Sequence, residues 1–95
     1  MSILSGLKPG DITSAFEKKA QIRFRSGRER VGWYVLDNQK LFRIKIPRIH
    51  PDWSIGVKKD AQRRSQLDVE EFADFANCPM NGAAYERIIR KRLSL

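Results

Sequence analysis

Histidine and cysteine are nearly absent from this chain: His50 and Cys78 are the only ones. A single cysteine cannot close an internal disulfide, and no Cys/His cluster offers a zinc site, so no metal or other cofactor is expected and a reducing, cytoplasmic setting is. No glycine-rich phosphate loop, no His/Glu metal motif and no Ser or Cys nucleophile beside a base can be found. No window approaches the ~20 apolar residues of a membrane span. Residues 1–7 carry no basic n-region and no sustained apolar run, and are not expected to act as a signal peptide. Acidic residues are also scarce, 11 against 19 Lys and Arg, which leaves a net charge of +8. Such a balance predicts salt-sensitive adhesion to polyanions. Ninety-five residues with 41% hydrophobic content are enough for one domain with a modest core, 1–95, led by a flexible arm over 1–10.

The positive charge follows a strand period. Residues 21–25, 30–35 and 40–46 all alternate, and successive strand residues face opposite sides of a sheet. Ile22, Phe24, Val31, Trp33, Val35, Phe42, Ile44 and Ile46 can share an apolar face, which leaves Arg23, Arg25, Arg43 and Lys45 on the other. Residues 21–48 hold eight of the cations and only two acids.

A helix is expected over 12–19, capped by Asp11, with Ile12, Ala15 and Phe16 at buried-stripe spacing. Three strands follow, joined by a turn at Gly27 and by Asp37-Asn38, both of which tolerate left-handed backbone. Pro47 should end the third strand. After a loop carrying Trp53, Ser54 opens a helical stretch to Arg64. Asp68 and Glu71 have capping-box spacing ahead of the stripe Val69, Phe72, Phe75 and Ala76. Asn81 can cap a last helix with Tyr85, Ile88, Ile89 and Leu93 facing inward. The expected fold is α+β, a three-stranded antiparallel meander with helices on one face.

The segment from Tyr34 to Pro47, a strand, a turn and a strand ending in an apolar-Pro pair, resembles the small HicA (YcfA-like) toxins. Ser54-Ile55-Gly56 and Asp68-Val69-Glu70-Glu71-Phe72 are similar to that family's helix-opening glycine and its later acidic-aromatic segment, so the likeness runs from Gly32 to about Phe72. The resemblance implies an α-β-β-β-α fold like that of double-stranded-RNA-binding domains, and an RNA-facing surface. The family ties ribonuclease activity to a histidine entering the second strand. Here Arg30-Val31-Gly32-Trp33-Tyr34 has none, so the resemblance supports the fold better than cleavage.

Each candidate site residue carries two readings. His50, beside Arg48, could be a general base for RNA cleavage; the simpler reading is a lone loop histidine. Arg23, Arg25, Arg43 and Lys45 could hold phosphates, or form a solvated sheet face. Tyr34, if it lies outward among them, could stack on a base; otherwise it shields the sheet. Trp53 reads as a plug over the core in preference to a base-stacking ring. Lys58, Lys59, Arg63 and Arg64 start a helix whose N-terminal end crosses phosphates in double-stranded-RNA-binding folds, or belong to an ordinary solvated helix face. Arg87, Arg90, Lys91 and Arg92 could form a second basic patch; the preferred reading is favourable charge at a helix C-terminus. The expected function is binding of structured RNA, in preference to DNA, with little or no ribonuclease activity. The alternatives are an accessory module for an acidic protein partner or a homodimer, and a HicA-like mRNA interferase toxin or a degenerate relative of one.

Overall fold

The computed structural model describes residues 3–25, 27, 29–47, 52–77 and 79–95. The first helix, α1 (Pro9–Lys18), starts earlier than the Asp11 cap implied, because Pro9 sits in its first turn, where its missing N–H costs nothing; Asp11 lies within that turn. Ahead of it a 3-10 turn, Leu4–Gly6, seats Leu4, and Leu7 follows; both are buried, so residues expected as a free arm contribute to the core.

Two strands follow, β1 (Glu29–Leu36) and β2 (Gln39–Pro47), in an antiparallel pair. Asp37 and Asn38, with φ of 52° and 64°, form the two-residue turn between them, in the left-handed conformation whose twist matches the strands. Three further helices complete the described chain, α2 (Ile55–Arg64), α3 (Val69–Ala76) and α4 (Gly82–Arg92). Two of their caps are those read from the sequence, and Ser54, read as the residue that starts its helix, supplies a third. Ser54 Oγ accepts from Val57 N, Asn81 Oδ1 accepts from Ala84 N, and Asp68 and Glu71 form a reciprocal box at 2.8 and 3.0 Å.

The three-stranded meander does not form, and with it goes the double-stranded-RNA-binding-domain-like order of strands. Among the described residues the sheet has two strands, and residues 21–25 make only an isolated bridge, Arg25 to Val31. Two local features explain this. Gln21 has a φ of 54° and Ile22 N bonds back to the Phe16 carbonyl at 3.0 Å, so the segment leaves α1 through a kink. It then presses on Gly32: a Cβ there would lie 2.8 Å from the Arg23 carbonyl oxygen and against the Ile22 side chain. That approach replaces an even ladder. Residues 21–25 still alternate, with Ile22 buried and Arg23 and Arg25 exposed. Gly32→Ala is expected to cost about 1–3 kcal/mol through the strain of overpacking. Gly10→Ala, at a position with open space around it, should be neutral or slightly stabilising. Urea unfolding of both variants checks this.

Gly32 also decides which way β1 faces. Gly32 and Tyr34 point inward, so Trp33 and Val35 point out, 41% and 46% exposed. The expected inward set of Val31, Trp33 and Val35 is therefore reversed, whereas β2 faces as read, with Ile44 and Ile46 buried and Phe42 half-buried. Tyr34 stacks on Phe42 at 5.2 Å and meets Tyr85 edge-on at 5.2 Å. The core continues through Phe75, 4.6 Å from Tyr85 and 5.5 Å from Phe16, and Phe16 reaches Phe72 at 6.1 Å. Trp53 is buried, as a plug requires, while Leu93, expected inward, is exposed.

The helices are tied by polar contacts at their ends. Lys19 Nζ donates to the carbonyls of Phe75 (2.7 Å) and Asn77 (2.6 Å), placing a cation on the C-terminus of α3. Tyr85 donates to the Ser65 carbonyl at 2.8 Å, and burial of its ring raises its pKa. Desolvation pushes Tyr34 up to about 12.

Candidate nucleic-acid interface

The outer side of the sheet carries an open groove of about 710 Å³, walled on one side by the extended segment 21–25 and floored by β1 and β2. Arg23 and Arg25 reach it from the segment, Arg43 and Lys40 from β2, and Trp33, Val31 and Val35 from β1, together with one acid, Glu29, whose carboxylate is paired with Lys45. Although the third strand is missing, its alternation survives, and three of the four sheet-face cations named from the sequence come together here. Arg23, Arg25 and Arg43 are exposed and form no ion pair among the described residues.

The fourth, Lys45, lies outward on β2 but pairs with Glu29 at 2.8 Å and does not line the groove. Tyr34 faces the core, 3% exposed, and its neighbour Trp33 takes the outward place. Lys40 is a groove residue that the alternation concealed. Counting back from Arg43 by twos puts Lys40 on the inner face. A bulge at Leu41 breaks the count: Tyr34 pairs with Phe42 but Val35 pairs with Lys40. The bulge turns Lys40 outward, where its ammonium sits 5.5 Å from the Trp33 ring centroid.

The other candidates are dispersed. Lys58 is 4% exposed and donates to the Ser5 carbonyl at 3.2 Å, while Lys59 faces solvent. Arg64 is paired with Asp60 at 2.8 Å. On α4, Arg90 forks onto Asp37 at 3.1 and 3.3 Å and also bonds Glu86, holding the Asp37 carboxyl below the usual range. Arg92 forks onto Glu71 and donates to the Gln66 carbonyl at 2.7 Å. These two arginines tie α4 to the hairpin tip and to α3. His50 and Arg48 lie outside the described residues, as does Cys78.

A second cleft, about 260 Å³, runs along α1 between Thr13, Glu17, Arg30 and Trp53. Arg30 sits 3.9 Å from Glu17. Arg30 Nε and Trp53 Nε1 lack hydrogen-bond partners among the described residues, but both atoms are sealed from solvent and so cannot serve a ligand in the cleft. Among the described residues no group of His, Cys, Asp and Glu side chains is gathered to hold a metal, and no helix is long and apolar enough to cross a membrane. Set beside family models, curated proteins and solved structures, the chain matches none of them.

Proposed function

We propose that the protein binds RNA through the groove between segment 21–25 and the sheet. The observation that carries this reading is the convergence of Arg23, Arg25, Arg43 and Lys40 in one recess, with no acid paired to the three arginines among the described residues. Like charges gathered on neighbouring strands repel, and a polyanion relieves that repulsion. Arginine forks suit phosphate oxygens. RNA is favoured over duplex DNA by shape. A ribbon that reads a major groove must protrude into it, whereas these cations line a recess. The reading is of a binding protein and does not include cleavage: guanidinium and ammonium groups supply positive charge but no base near neutrality. A cytoplasmic location, in keeping with the single cysteine, would place RNA within reach.

The test is retention of labelled RNA, DNA and heparin across a salt series. Three to four neutralised phosphates predict a roughly twenty- to fifty-fold loss of RNA affinity between about 50 and 200 mM salt. Affinity that stays flat with salt, or heparin binding without RNA binding, would overturn the reading and favour an acidic protein partner.

A further inference from the structure

The groove is not lined by cations alone. Trp33 is directly across from Arg43 on the neighbouring strand, has Lys40 over its ring, and is flanked along its own strand by Val31 and Val35. An indole left 41% exposed keeps apolar surface in water while the inner face of the same strand is filled by Tyr34. Arg23 and Arg25 lie on one side of that ring, Arg43 and Lys40 on the other.

The geometry points to unpaired nucleotides as the ligand of this groove, with a base stacked on the Trp33 indole and the flanking phosphates held by Arg23 and Arg25 on one side and Arg43 and Lys40 on the other. This rests on the RNA reading above and narrows it to single-stranded stretches, such as the loops of a structured RNA. A duplex keeps its base faces inside the stack, so an indole on the groove floor meets only edges and sugars. A single strand offers a π-face whatever its sequence. The remaining basic surface argues the same way. Double-stranded RNA is held across successive grooves by separate contact regions. On α2, Lys58 is buried with its ammonium on the Ser5 carbonyl, and Lys59 and Arg63, though exposed, do not line the groove. The groove itself gathers four cations around one exposed indole, which suits a short unpaired segment. The cation–π contact keeps Lys40 beside the ring, ready to meet a phosphate when a base arrives.

The test compares an oligouridylate of about twelve nucleotides, a length typical of single-strand sites, with an RNA duplex of the same length. Wild type, Trp33→Ala and Trp33→Phe are measured by anisotropy at low salt. Emission is followed in a Trp53→Phe background, where Trp33 is the one indole left. The single strand should bind at least about tenfold tighter than the duplex and quench Trp33 emission. Trp33→Ala should lose about tenfold or more, and Trp33→Phe should keep most of the affinity. The salt slope should be the same in all three, because no charge changes. An oligothymidylate that binds equally or more weakly supports stacking in either case and tells whether the sugar is read. Equal affinity for duplex and strand, or a Trp33→Ala protein that binds like wild type, overturns this inference, while steep salt dependence would leave the RNA reading standing. No RNA binding by wild type overturns both.

Discussion

Replacing Arg23, Arg25 and Arg43 together by Glu is expected to abolish RNA binding and leave the protein folded. Each reversal removes a cation that can displace a condensed counterion and adds an anion that repels the next phosphate, so the three act in the same direction. All three side chains are exposed and form no ion pair among the described residues, so unfolding free energy should move by no more than about 0.5 kcal/mol for each change. The necessary comparison is Lys59→Glu with Arg63→Glu, two exposed cations on α2 that do not line the groove. That pair weakens the general attraction of a basic protein without touching the recess, and it should retain most of the affinity. If both variants lose binding equally, net charge and not the groove is responsible. If the triple variant binds like wild type, the groove is not the site.

Phe75→Ala is expected to cost about 3–5 kcal/mol, a large share of the ~5–15 kcal/mol by which a domain is ordinarily stable. Phe75 is fully buried and joins the two halves of the aromatic core, with Phe16 on α1 at 5.5 Å and Tyr85 on α4 at 4.6 Å. Its ring also lies 5.9 Å from the Lys19 ammonium that holds α1 to the end of α3. Truncation therefore opens a cavity between three helices that cannot easily collapse around it. Val35→Ala, on the exposed face of β1, should change stability by no more than about 0.5 kcal/mol. Urea unfolding of the two variants measures the contrast, and a loss below about 1 kcal/mol for Phe75→Ala would contradict the packing described.

The parts of this fold that could be read from the sequence are those decided within a few residues. Ser54, Asn81 and the Asp68–Glu71 box cap the helices they precede, and Asp37-Asn38 turns the hairpin, because each satisfies backbone groups one to three residues away. The facing of β1 was not legible. Val31, Trp33 and Val35 are apolar, but so is much of the opposite set, and periodicity cannot choose between two apolar faces. The choice is made at a distance, by the approach of Ile22 and Arg23 to Gly32. The same approach, together with the kink at Gln21, spoils the third strand. The candidate site was legible where charge alternated without apolar competition, at Arg23, Arg25 and Arg43. It was hidden at Lys40, which a bulge turns over, and at Trp33, whose orientation followed the glycine. Lys58 shows the opposite case, a lysine in a basic helix whose ammonium is needed by the Ser5 carbonyl.

The Tyr34–Tyr85 contact bears on the order in which the protein can assemble during synthesis. The groove is built from residues 21–43, made early, but the inner side of its floor rests on a ring from α4, more than forty residues later in the chain. Until Gly82–Arg92 has been made, Tyr34 and Phe75 have no partner on that side, and the Arg90 fork onto Asp37 that ties the hairpin tip is missing as well. A nascent chain stopped before α4 would present the basic residues on a hairpin with an open core behind it. A helix made well after the groove thus completes the support behind its floor.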